Sequence, residues 1–186
     1  MTVRFQEALR YATKLHADQL RKGTSVPYVA HLLSVAGIVL DYGGREDEAI
    51  AALLHDSIED QGGAETGEEI RARFGDAVFE IVTGCSDTIG RPKPPWRERK
   101  EAYLAHIVHA SPSVLLVSAA DKLHNARSIL MDYRTEGEAL WTRFKGDRVG
   151  TLWYYRALVS AYRLAGSTPL VDELDRVVTE LEKLCG

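Results

Sequence analysis

Leu53-Leu54-His55-Asp56-Ser57-Ile58-Glu59-Asp60 sets a histidine and an aspartate side by side at the end of an apolar run, with an acidic residue four places beyond each. Charged side chains in such a run are costly unless they are paired or bind something, which favours chemistry over mere structure. The lead-in Ala49-Ile50-Ala51-Ala52-Leu53-Leu54 has neither Pro nor Gly, so the spacing predicts a helix from Glu46 to about Ile58. Residues four apart share a helix face, which aligns His55 with Glu59 and Asp56 with Asp60. An imidazole and a carboxylate are ordinary ligands of a divalent metal, and a carboxylate one turn away can act on water. A capped helix end closing onto Glu59-Asp60-Gln61-Gly62-Gly63 accounts for an isolated His-Asp pair equally well, so partners must be sought elsewhere.

Two further positions qualify. His31 lies in the first turn of a helix predicted from Tyr28 through Leu40 to the breaker Gly43-Gly44, inside an apolar stripe where a core histidine is the plainer reading. Asp121 follows the apolar and small-residue run Val114 to Ala120, where a carboxylate is desolvated unless paired or metal-bound, and Asn125 shares its face one turn later. Ahead of them, an amphipathic helix is predicted from Arg4 to Leu20, ending in the basic turn Arg21-Lys22-Gly23-Thr24-Ser25-Val26-Pro27-Tyr28.

Beyond the central stretch, Thr66-x-x-Glu69 has the form of a capping box opening a helix to Phe74, and Gly75-Asp76 is its stop and the next start. Ala77 to Val82 continues helically. Thr83 to Pro95 reads as a loop with three prolines; with Arg91 and Lys93, and Arg97, Arg99 and Lys100 after it, it is a candidate lid over an anion or a solvated surface loop. Helices are predicted over Trp96 to Ala110, with His106 and His109 at the surface, from Ser111-Pro112 to Met131, over Ala139 to Phe144, and from Leu170 to Leu184. A polar connection, Asp132 to Gly137, follows Met131; Arg148 leads into Leu152-Trp153-Tyr154-Tyr155, whose rings read as core. With no strand-like alternation and no repeat, the expected fold is all-α, one domain over 1–186.

A chain of 186 residues is long enough for one core that buries roughly 70 % of the unfolded surface. Cys85 and Cys185 lack a CxxC spacing, which argues against a disulfide framework or a cysteine metal site and suits a reducing cytoplasm. No signal-like or membrane-spanning segment is evident, and a net charge of −4 argues against a nucleic-acid-coating surface while allowing a local basic pocket. The sequence leaves the oligomeric state open.

The order His31, His55-Asp56, Asp121 resembles the signature of the HD-domain metal-dependent phosphohydrolases. Three blocks narrow it: His16-Ala17-Asp18-Gln19-Leu20-Arg21-Lys22-Gly23 with Pro27-Tyr28-Val29-Ala30-His31; Leu54-His55-Asp56-Ser57-Ile58-Glu59-Asp60; and Ala120-Asp121-Lys122-Leu123-His124-Asn125-Ala126-Arg127. Together they are similar to the hydrolase domain of the Rel/SpoT alarmone enzymes, over about residues 5–165, with residues 166–186 adding a C-terminal helix.

The resemblance implies an HD-domain helical bundle around one Mn²⁺, hydrolysing the 3′-pyrophosphate of (p)ppGpp to GDP or GTP and pyrophosphate. It implies His31, His55, Asp56 and Asp121 as metal ligands, a set that also suits Fe²⁺ or Zn²⁺. Glu59 and Asp60 then act on water and protons, with Glu59 as the base. It implies Arg21 stacking on the base with Lys22 beside it, Asn125 and Ser128 near sugar and base, and Arg148 and Tyr155 as phosphate and ring contacts. The chain departs from the bifunctional enzymes at Gly90 to Trp96, and no synthetase domain is expected. The alternatives are hydrolysis of (p)ppApp or another 3′-phosphorylated nucleotide, an HD-type 5′-nucleotidase, and an inactive alarmone-binding module.

Overall fold

The computed structural model describes residues 1–87 and 93–186. Among these residues are ten α-helices and one 3-10 helix, and the β structure amounts to an isolated antiparallel bridge between Leu20 and Pro27. The all-α expectation holds. The chain forms two compact units, Met1–Lys93 with Ser111–Ala120, and Pro94–Ala110 with Asp121–Gly186.

The first unit is built around α3 (Glu46–Leu54), whose residues Ala49 to Leu54 are all completely buried. A helix apolar on every side must be wrapped. α1 (Val3–Leu15), α2 (Val29–Asp41) and α6 (Asp76–Cys85) pack against it. The short α4 (Ser57–Asp60) meets α5 (Ala64–Phe74) and α6 at Gly67, where a Cβ would lie 3.1 Å from Phe79 and 3.3 Å from Ile58. α8 (Pro112–Glu136) begins in this unit, tied to α3 by a 2.8 Å hydrogen bond from the Ser113 hydroxyl to Glu48.

Several boundaries differ from expectation. α1 stops at Leu15, not Leu20, because the His16 amide caps the Ala12 carbonyl and the chain turns away. The Tyr28 amide then donates to the Gln19 carbonyl at 2.8 Å and the Arg21 amide to the Val26 carbonyl at 2.8 Å, so the basic turn is pinned at its base.

α3 ends at Leu54, so the single helix face expected for residues 55–60 is broken. The His55 Nδ1–H donates to the Ala52 carbonyl at 2.7 Å, satisfying a carbonyl at the helix end, and Ser57 starts a new turn. The Thr66 capping box does not form: α5 starts at Ala64 behind Gly63 (φ 66°), and the Thr66 hydroxyl donates to the Gln61 carbonyl at 2.9 Å. Gly75 (φ 90°) ends α5 and starts α6 as expected. α6 then runs to Cys85, past the expected loop start. A Cβ on Gly84 would lie 2.6 Å from Val114, so glycine permits a close packing contact there, at a cost of about 1 kcal/mol in a helix. Arg91, within the expected lid, lies outside the described residues.

The second unit comprises α7 (Trp96–Ile107), α8 from Asp121 onward, a 3-10 helix over Gly137–Arg143, α9 (Asp147–Ala165) and α10 (Pro169–Cys185). α9 packs against α7, the 3-10 helix and α10. The Trp96 indole rests on two glycines of the α9 start: a Cβ would come within 2.6 Å of it at Gly146 and 3.2 Å at Gly150. Arg156 donates to Glu182 at 3.0 Å and Thr179 at 2.9 Å, and also to Asp175, fastening α9 to α10. α8 runs through the expected polar connection to Glu136, where Gly137 (φ 61°) ends it, and the segment expected as a helix from Ala139 is the 3-10 turn. Both cysteines are free, and among the described residues no helix is long and apolar enough to cross a membrane.

Candidate functional site

α2 contributes His31 from its first turn and the end of α3 contributes His55, both buried to within 2 %. Their Nε2 atoms face each other at 3.2 Å, and Asp56 Oδ2 lies 3.0 Å from the His55 nitrogen and 3.5 Å from that of His31. Because Nδ1 of His55 is the donor to Ala52, its Nε2 presents a lone pair. Two imidazole nitrogens and a carboxylate oxygen converging this closely fit a divalent cation, and these three residues form a metal-competent group among the described residues. The break after Leu54 turns Asp56 toward both histidines.

Rings and hydrogen bonds hold these donors in place. His16 stacks on Tyr28, Tyr28 meets His31 edge-on, and His31 meets His55 edge-on, with centroids 5.1–5.3 Å apart. The Tyr28 hydroxyl donates to Asp56 Oδ2. Gln19 Oε1 accepts from Gln61 at 2.6 Å and lies 2.6 Å from His16 Nδ1, which leaves the Gln19 amide NH₂ to donate to Asp60 at 2.9 Å. With Nδ1 as donor, His16 Nε2 is the acceptor facing the Ser57 hydroxyl at 3.3 Å. Burial lowers the His16 pKa, which keeps the ring neutral for this arrangement.

Glu59 and Asp60 sit on α4, one turn beyond the donors. Burial, then the Asp87 carboxylate, pushes the Glu59 pKa up, while a 2.8 Å ion pair with Lys93 opposes the rise. Burial, then Asp56, likewise raises Asp60, opposed by the Gln19 hydrogen bond. Carboxyls raised toward neutrality beside a cation site are suited to moving protons.

Arg21 is half-buried with its guanidinium 5.9 Å from the Tyr28 ring, and Lys22 is exposed on the same pinned turn. In the second unit, Asp121 is buried between the Lys122 ammonium at 2.6 Å and the Asn125 amide. Ser128 donates to the His124 carbonyl at 3.0 Å. Arg148 donates to the Gly186 carbonyl at 2.9 Å and lies 3.5 Å from Glu138, and Tyr155 is buried against Tyr154. Sequence reasoning gave no roles to His16, Gln19, Tyr28 and Lys122. The first three lie inside the quoted motif block and Lys122 adjoins a suspected ligand, so their positions were the available signal.

The HD domain family matches residues 8–152, and the chain belongs to that family. Within it the chain is 41 % identical over 126 residues to guanosine-3′,5′-bis(diphosphate) 3′-pyrophosphohydrolase MESH1 of Xenopus tropicalis, covering 66 % of this chain and 68 % of that protein. It is 37 % identical over 126 residues to guanosine-3′,5′-bis(diphosphate) 3′-pyrophosphohydrolase of Aquifex aeolicus, a match spanning 67 % of this chain and 17 % of that much longer protein. The solved structure of a metazoan ortholog of SpoT that hydrolyses ppGpp has a TM-score of 0.82, with 26 % identity and 97 % coverage of both chains.

Proposed function

We propose that the chain is a guanosine-3′,5′-bis(diphosphate) 3′-pyrophosphohydrolase, releasing pyrophosphate from the 3′ position of (p)ppGpp and leaving GDP or GTP. The convergence of His31, His55 and Asp56, in a chain of this family, is the observation that carries the reading. Asp121 is the proposed fourth ligand by its place in the sequence pattern, and Mn²⁺ the proposed metal. Held by these residues, the cation would supply Lewis acidity toward a phosphoryl group.

The chain's own groups do the rest. Glu59, with its raised carboxyl, takes the proton of the attacking water, and Asp60, oriented by Gln19, manages the proton at the leaving side. Tyr28 holds Asp56 by its hydroxyl. Arg21, a flat cation on a pinned turn, offers a stacking face for the purine, and Lys22 a charge for phosphate. Asn125, Ser128, Arg148 and Tyr155 remain the proposed sugar, base and phosphate contacts by their place in the sequence pattern. The partner is a small nucleotide, without nucleic acid or membrane, and the proposed location is the cytoplasm.

The test is to incubate the protein with Mn²⁺ and ppGpp, ppApp or simple 5′-nucleotides and follow pyrophosphate and orthophosphate. Pyrophosphate from ppGpp is expected. Orthophosphate from 5′-nucleotides alone refutes the reading, and nucleotide binding without turnover makes the chain a binding module. Glu59→Gln should abolish turnover with metal retained, whereas Asp121→Asn should lose both.

A further inference from the structure

We propose that Lys93 is a positioning residue for the hydrolytic reaction: its ammonium grips Glu59 and holds that carboxylate in the orientation in which it receives a proton from water. The inference rests on the reading of Glu59 as the base.

The contact is specific. Lys93 Nζ lies 2.8 Å from Glu59 Oε1, with about a third of the lysine and a fifth of the glutamate side chain exposed. An ion pair this sheltered is less screened than one at the surface. Glu59 needs such a partner because other carboxylates surround it: Asp56 precedes α4, and Asp87 follows α6. α5 and α6 meet α4 through Gly67 and Phe79, around Ile58, and the end of α1 and the turn after it meet it through His16 at Ser57 and Gln19 at Asp60. Lys93 is therefore the cation in contact with Glu59 among the described residues, and it works against both the burial and the acidic neighbours.

The sequence limits how far that cation can wander. Lys93 is followed by Pro94 and Pro95, and a residue before proline is confined to extended backbone. Less freedom is lost in holding the lysine on its partner. A carboxylate engaged at one oxygen by a fixed ammonium has its plane set, which is what a base aimed at a single water requires.

Lys93→Met and Lys93→Arg in the full chain test this. The first readout is the 13C titration of the Glu59 side-chain carboxyl in metal-free protein. Lys93→Met should move its midpoint upward by about one pH unit or more, and Lys93→Arg should return it near the wild-type position. The second readout is the pH dependence of kcat/KM for pyrophosphate release. The acid limb should shift upward by the same amount in Lys93→Met, an activity loss of about tenfold on that limb, with rescue by arginine. A Glu59 midpoint and an acid limb both unchanged in Lys93→Met overturn the proposal. Absence of pyrophosphate release by the wild type overturns the functional reading instead, and the carboxyl titration still decides whether Lys93 governs Glu59.

Discussion

Replacing Lys122 by methionine removes one charge from the buried Asp121–Lys122 pair and keeps most of the side-chain volume. The side chains are 7 % and 15 % exposed and the ammonium lies 2.6 Å from the carboxylate, with the Tyr103 ring 5.2 Å from the cation. Removing one member of a buried pair costs about 3–5 kcal/mol, because the other charge stays buried. Asn125 still donates to Asp121, and the methionine buries apolar surface worth about 1 kcal/mol, so the net loss is about 2–4 kcal/mol. At about 2–4 °C per kcal/mol for a chain of this size, Tm should fall by about 4–16 °C.

The assay is thermal or urea unfolding in EDTA, followed by tryptophan fluorescence. Trp96, Trp141 and Trp153, the three tryptophans of the chain, all lie in the second unit with the pair, so the signal reports on the right region. Burial alone would lower the Lys122 pKa, but Asp121 and then the tyrosines around it outweigh that and hold it well above the ordinary value. A raised lysine contributes its full stability below the unfolded value of about 10.4 and loses it only as pH rises through the folded value. The gap between wild type and variant should therefore be flat from about pH 8 to 9. Asp121→Asn combined with Lys122→Met should recover much of the loss, since no lone charge remains. A single variant within about 0.5 kcal/mol of wild type, or a gap that closes between those pH values, refutes the reasoning.

Mn²⁺ added to EDTA-stripped protein at a hundred times its Kd should stabilise the fold by about 2.7 kcal/mol, read as a higher Tm, and His55→Ala should abolish the rise. Gly146→Ala should destabilise by about 1–3 kcal/mol in urea unfolding, because its Cβ would lie 2.6 Å from the Trp96 ring. Arg176 and then Arg127 hold the Glu173 pKa low, and Tyr11 and then Arg73 do the same for Glu69. These groups stabilise above the unfolded carboxylate value of about 4.3, and that stability is lost as pH falls through the folded values. Urea midpoints should therefore drop on acidification, with a smaller drop in Glu173→Gln.

How much of this was legible in the sequence depends on the range of the interactions involved. The apolar periodicity placed α2 and α10 to within a residue or so at the ends compared, and the breakers Gly43-Gly44 and Gly75 ended helices where expected. His31 and the His55-Asp56 pair were legible because metal ligands must be particular residue types in a particular order, and the fold brings these three together. The break between α3 and α4 was hidden, because it is made by a side chain turning back to Ala52 and no Gly or Pro announces it. The Thr66 box misled because a left-handed Gly63 supplies the start instead, and α6 outran its expected end because Gly84 fits against Val114, 30 residues away in the chain. Contacts of that kind, like Gln19 on Asp60, are tertiary choices that local pattern does not encode.

The file of rings from His16 through Tyr28 and His31 to His55 also bears on how the protein is made. Its members come from the end of α1, the entry to α2, α2 itself and the end of α3, so the donors of α2 and α3 gain their full backing only once all three helices have docked. A partly assembled chain cannot grip the cation with this geometry, and metal then acts late, on the finished state. Chelation should accordingly hasten unfolding while leaving the refolding rate nearly unchanged, so that metal supply governs the lifetime of the folded chain more than its birth.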